Sequence, residues 1–196
     1  MCLEYVEALM RNPLEAIRKA KREKSAKETS VLLAVEALLV GLSLVLLIRE
    51  SKVLPVIPTS FYLPLLLAYA TLQIINILIM AGVITLTFNL LGGRGGYIDA
   101  FNAEVFYMFY TSINLILISL LNLSFSTLAL PLSFIVSIFL QVIGLSVCLR
   151  SIKELFRVDS ATLLLGLIVV LLGIVGSIFT LTILSPSLTE ILPLMR

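Results

Sequence analysis

From Phe61 to Leu91 the chain carries no charged side chain. As a helix, a run of that length is roughly 45 Å long, against about 30 Å for the hydrocarbon of a bilayer. A soluble domain has no place to hide it. Of the 196 residues 60% are hydrophobic and 13% charged, whereas soluble domains sit near 45–50% apolar and about 25% charged. Lipid is then the solvent, and a helix meets lipid with every backbone polar group satisfied by its own main chain.

About 20 apolar residues cross the hydrocarbon, and five stretches of the sequence qualify. They are 31–48, interrupted only by Glu36, then 61–91, 103–123, 128–149 and 162–184. The fold expected is all-α: a multi-pass transmembrane helical bundle of five spans over 31–184. It is preceded by an amphipathic helical arm, 1–30, and followed by a short external tail, 185–196. The overlong second run must tilt, kink near Gly82 or extend into the cytoplasm. Pro55 and Pro58 make the first outer connection, 51–60, extended. The third and fourth spans are almost continuous and form a tight antiparallel hairpin.

Lysine and arginine set the orientation. With the N-terminus inside, the inner segments hold seven basic residues in 1–30, then Arg94, then Arg150, Lys153 and Arg157; the outer ones hold Arg49, Lys52 and Arg196. Eleven against three places the N-terminus in the cytoplasm and the C-terminus outside. The first 30 residues carry five acidic and seven basic side chains with no early apolar run, so they do not read as a cleaved secretory signal.

Within the arm, Leu3, Val6, Leu9 and Met10 recur at helical spacing. Asn12-Pro13 then marks a break and restart, with Glu15 at the capping-box position. The charged helix that follows, to about Lys27, is supported by Glu15–Lys19 and Glu23–Lys27 pairs. It is thinly apolar at Leu14, Ala16, Ile17 and Ala20. Two readings stand: a helix lying on anionic headgroups, or a solvated arm.

The chain has no histidine, which removes every His-based general base, zinc motif and proximal haem ligand. Cys2 and Cys148 make neither a zinc spacing nor a disulfide framework. Cys148, at the cytoplasmic end of the fourth span, sits where thioacylation occurs, or is a small packed residue. A net charge of +2 does not argue for nucleic acid. No cofactor, metal site or nucleophile–base pair is expected, and the chain reads as a non-enzyme.

The candidate functional residues lie inside the spans and in one loop. Glu36 is a carboxylate inside the first span. Such groups default to a functional hypothesis, beside the plainer one of a protonated, snorkelling or hydrogen-bonded side chain. Gln73 and Asn76 on the second span and Asn114 on the third fall near mid-membrane, with Gln141 on the fourth nearer the cytoplasm. They read as interhelical glue or as a substrate pathway. In the loop, Gly92, Gly93, Arg94, Gly95, Gly96, Tyr97 and Asp99 form either a backbone nest for an anion such as a lipid phosphate, or a flexible hairpin with Tyr97 and Phe101 anchoring at the interface. Asp99 and Asp159 at span ends raise an aspartyl dyad, which ordinary loop acids outweigh.

The glycine-rich stretch followed by Tyr97, Asp99, Ala100 and Phe101 resembles the signature of the Yip (Rab-interacting) family of five-span membrane proteins. Asn12-Pro13-Leu14-Glu15-Ala16 matches it too, as does a fourth span running through Gly144-Leu145 into a basic loop that ends at Ser160-Ala161. The similarity covers about residues 10–184. It departs at Glu104-Val105-Phe106-Tyr107, where many relatives carry a proline. The resemblance implies a membrane scaffold or adaptor that organises or shapes the bilayer with protein partners, as homo- or hetero-oligomers, with small GTPases as a partner class. The alternative is a small-solute or ion transporter or channel using Glu36 and the polar mid-membrane layer.

Overall fold

The computed structural model describes residues 2–23, 26–50, 58–124 and 129–172, and every regular element among them is a helix. In chain order these are α1 (Cys2–Arg11), α2 (Pro13–Glu23), α3 (Lys27–Glu50), α4 (Tyr62–Leu90, entered through a single 3-10 turn), α5 (Tyr97–Ser124), α6 (Ala129–Phe156) and α7 (Ser160–Leu172). Among the described residues four segments are long and apolar enough to cross a membrane: Lys27–Leu47, Thr59–Leu90, Tyr97–Leu121 and Pro131–Phe156. The expected fifth span begins inside α7, which is apolar. Its remainder at 173–184, the tail at 185–196 and residues 51–57 of the outer connection lie outside the described residues.

Helix α5 is the centre of the bundle and packs on α3, α4 and α6. Its buried face therefore carries large side chains, among them Phe101, Phe106, Met108, Phe109 and Tyr110. Helices α3 and α5 run parallel, tied near one end by the Thr29 hydroxyl donating to Asn102 Oδ1 (2.7 Å) and near the other by the Ser119 hydroxyl donating to the Ser43 carbonyl (3.0 Å). Close approach of α3 to α4 depends on Gly41, where a Cβ would stand 2.7 Å from the Leu66 carbonyl oxygen.

Helix α4 is unbroken through Gly82 over 29 residues. With α5 and α6 at 28 residues each, these helices are roughly 42–44 Å long and exceed a hydrocarbon of about 30 Å. The ends formed by the start of α5 and the finish of α6 are covered by the α1–α2 hairpin. Asn12 makes the break between its helices. Its N–H closes α1 on the Ala8 carbonyl (2.7 Å), and its own carbonyl accepts the Glu15 N–H (2.9 Å), while Pro13 has no N–H to lose. The thin apolar face of α2 is turned inward: Ala16, Ile17 and Ala20 join Tyr5 and Leu9 in the core.

Four boundaries differ from the sequence expectation. Helix α2 ends at Glu23 rather than near Lys27, so the expected Glu23–Lys27 pair falls on two different helices. Helix α3 starts at Lys27 rather than residue 31. Helix α5 starts at Tyr97 rather than residue 103, because the Asp99 carboxylate accepts the Gly96 N–H (2.8 Å) and caps it. Helix α6 runs past residue 149, since Arg150, Lys153 and Glu154 are good helix formers. It stops where Arg157 takes a left-handed φ of 55°.

Candidate functional site

The polar residues of the spans do not gather in one place. The Tyr107 hydroxyl donates to Gln141 Oε1 (2.9 Å), tying α5 to α6. The Asn114 amide donates to the Ser137 hydroxyl (3.0 Å) in the same seam, leaving its own Oδ1 buried without a partner. On α4, Gln73 is half-buried and Asn76 exposed. Glu36 is 1% exposed, and neither carboxyl oxygen has a hydrogen-bond partner. The hydrogen bond that one reading of Glu36 expects is therefore not made among the described residues.

Two further polar residues of the α3–α5 seam, Thr29 and Asn102, are fully buried. The Thr29 hydroxyl lies 2.7 Å from Asn102 Oδ1, and the Asn102 amide nitrogen is left without a partner. Glu104 on α5 is half-buried. None was singled out by sequence. Asn102 and Glu104 fall at the edge of an apolar run, where a polar side chain reads as a boundary, not as a seam.

The glycine loop is a clamp at the end of the bundle where α4 finishes and α5 begins. The N–H groups of Gly92, Gly93 and Arg94 donate to the carbonyls of Asn89 (3.1 Å), Phe88 (2.8 Å) and Phe156 (2.9 Å). These donors are spent on protein rather than left for an anion. Gly92 adopts φ of 90°, a conformation that costs other residues strain. Gly95 has no room for a side chain, because a Cβ would collide with the Phe156 ring. That ring packs on Phe88, centroids 5.6 Å apart. Tyr97, 43% exposed, ties α5 to α4: its hydroxyl donates to the Leu78 carbonyl (2.9 Å). Arg94, Gly96, Tyr97, Ile98 and Asp99 line an open hollow of about 430 Å³. Phe101 is buried.

Asp99 and Asp159 are each used locally. Asp99 caps α5, and Asp159 caps α7 by accepting the Thr162 N–H (2.8 Å). The hydrogen bonds from Thr162 hold the Asp159 carboxyl below its usual range.

A second constellation joins α1 to α2. Lys19 pairs with Glu4 and lies 5.0 Å over the Tyr5 ring, while the Tyr5 hydroxyl donates to Glu23 Oε2 (3.0 Å). The hydrogen bond from Lys19 lowers the Glu4 pKa and raises that of Lys19. Burial first, then Glu23, pushes the Tyr5 phenol upward. Lys21 anchors the hairpin to the bundle, donating to the Glu154 carbonyl (2.8 Å) with the Glu154 carboxylate 3.7 Å away. Around that anchor Asn12, Glu15, Arg18, Lys21, Arg22 and Glu154 line a hollow of about 570 Å³.

Among the described residues no three His, Cys, Asp or Glu side chains gather as metal ligands. Cys148 is buried and free, packed rather than presented at the surface. No curated protein and no solved structure matches the chain. The family model of the Yip1 domain matches residues 8–182, a stretch that holds the hairpin break, the glycine clamp and all four long apolar helices, and the chain belongs to the Yip family.

Proposed function

We propose that this protein is a non-enzymatic membrane scaffold or adaptor of the Yip type, organising or shaping the bilayer together with protein partners. It would cross the membrane five times, α7 continuing to about residue 184, with the N-terminus in the cytoplasm and the C-terminus outside. The observation that supports it best is where the spans use their amides: Gln141 and Asn114 bond helix to helix, and Asn76 turns outward. Amides spent in that way hold a bundle closed.

On this reading the α1–α2 hairpin is the cytoplasmic face that partners meet. Arg18 and Arg22, one turn apart and exposed, face anionic headgroups, each worth about 1 kcal/mol near such a surface. Small GTPases, the partner class implied by the resemblance, would meet the same face. A second reading, a solute or ion transporter, is favoured by Glu36 alone, a buried carboxyl without a partner.

Purified protein in proteoliposomes separates the two. The scaffold reading expects ion and solute leakage equal to that of protein-free vesicles, with altered vesicle shape at high protein density. Sustained flux that disappears in Glu36→Gln would overturn it. Reporters fused after Arg196 test the orientation, and activity confined to the cytoplasm would remove the fifth span.

A further inference from the structure

Helix α4 turns one face into the bundle through Ala70, Ile77, Ala81, Ile84 and Phe88. Its opposite face has a regular pattern. Leu72, Asn76, Ile79, Val83, Leu86 and Leu90 follow one another at alternating spacings of four and three residues, and all six are exposed. This is a heptad seam: Asn76, Val83 and Leu90 at the a positions, Leu72, Ile79 and Leu86 at d. A single asparagine at an a position fixes register and oligomer number.

Asn76 is the middle residue of the 29 in α4 and makes no hydrogen bond with any described residue. Facing hydrocarbon at that depth, its amide offers a donor and an acceptor to lipid that can use neither. A helix that covers it must bring both at the same depth. A second copy of the chain, inserted in the same orientation, does so by symmetry, because two amides opposite one another each donate and each accept.

Among the described residues the protein's own helices lie elsewhere. Where α7 meets α4, Gly166 packs on the Phe88 ring. Phe88 is two residues beyond Leu86, about 200° around the helix. The face that α7 touches is thus turned away from the seam.

We propose that α4 forms a parallel two-fold homodimer along this seam, with Asn76 paired to Asn76 of the partner subunit. The inference rests on α4 crossing the membrane and not on the scaffold role, so either can fail without the other.

Disulfide mapping tests it in native membranes, using the full chain with Cys2 and Cys148 changed to Ser. Single cysteines are placed in turn along α4. Dimer bands should form from Leu72→Cys, Ile79→Cys and Val83→Cys, and not from Ile74→Cys, Ile77→Cys or Ala81→Cys. In liposome dilution measured by single-molecule photobleaching, Asn76→Leu should weaken the dimer on the order of 3- to 30-fold, the range of interhelical hydrogen bonds in membranes. Asn76→Gln should restore most of that loss.

Three results would overturn the proposal. One is crosslinking to a different protein, or within one chain between Ile79→Cys and Ser177→Cys, which would show another occupant of the seam. The others are crosslinks without the four–three periodicity and an Asn76→Leu protein that dimerises as well as the parent.

Discussion

The Tyr110 hydroxyl donates to the Leu9 carbonyl at 2.7 Å, joining the centre of the bundle to the end of α1. The Leu9 carbonyl needs that donor. Its helical partner four residues on would be Pro13, which has no N–H. The break that separates α1 from α2 thus creates the vacancy that Tyr110 fills, and the ring contact of Tyr5 with Phe106 (6.1 Å) holds the same surfaces together.

Tyr110→Phe keeps the ring and removes the donor, leaving a buried carbonyl unpaired. The expected cost is about 1–3 kcal/mol, concentrated in docking of the hairpin. Hydrogen exchange in detergent or nanodiscs should rise across residues 2–23 with little change in α4. Unaltered exchange in the hairpin would remove Tyr110 as its anchor.

The clasp between α1 and α2 should respond to acid. Glu4 has its folded pKa depressed, first by the hydrogen bond from Lys19 and then by that charge. A depressed carboxylate contributes stability above its unfolded pKa, near 4.5, and loses it as pH falls through the folded value. Lys19 and Tyr5, both raised, contribute below their ordinary values and lose that contribution at strongly alkaline pH. Hairpin protection should therefore be flat around neutrality and fall below about pH 4.5. Glu4→Gln should flatten the acid side and reduce the alkaline limb to the part carried by Tyr5, because the Lys19 shift comes first from Glu4. An acid limb of unchanged size in that variant would assign the loss to other carboxylates.

Gly95 and Asp159 fix the same end of the bundle by different means. In Gly95→Ala the new methyl meets the Phe156 ring, and overpacking of this kind costs about 1–3 kcal/mol. Asp159→Ala removes the cap of α7 for about 1 kcal/mol, whereas Asp159→Asn keeps it. Thermal unfolding should rank the parent and Asp159→Asn together, then Asp159→Ala, then Gly95→Ala. Exchange in Asp159→Ala should increase at Thr162 and Leu163 first.

Sequence made the apolar helices legible because hydropathy over 20 residues is a bulk property that no tertiary contact overrides. The break at Asn12-Pro13 was readable for a local reason, a missing N–H. What fills the consequence was not: Tyr110 lies 101 residues from Leu9, and nothing near either residue announces the other. Ends of helices were misplaced for a related reason. Arg150, Lys153 and Glu154 signal the edge of the hydrocarbon, yet charge stops a membrane span without stopping a helix. The glycine run was legible as a turn, but its tightness depends on Phe156, whose aromatic ring reads as ordinary apolar filling. Among the candidate residues the amides were found by type, while their partners, Tyr107 and Ser137, follow from packing alone.

Glu36 carries the sharpest test of how the bundle treats polarity. Had it been matched to an amide, Glu36→Leu would loosen α3 by removing one partner. Instead the side chain is 1% exposed, with both oxygens unpartnered, so the substitution removes a group whose desolvation nothing offsets. Leucine is close in volume, and exchanging an orphaned polar group for an apolar one of similar shape is neutral or stabilising. Glu36→Leu is thus expected to raise thermal stability by on the order of 1–3 kcal/mol, and Glu36→Gln to change it less, since the amide is orphaned in turn. Unfolding of purified protein in one detergent, with the three chains side by side, measures this directly. A Glu36→Leu protein less stable than its parent would mean that the carboxyl has a partner in the membrane, either water or a bound cation, and the transporter reading would then gain the ground that the scaffold reading loses.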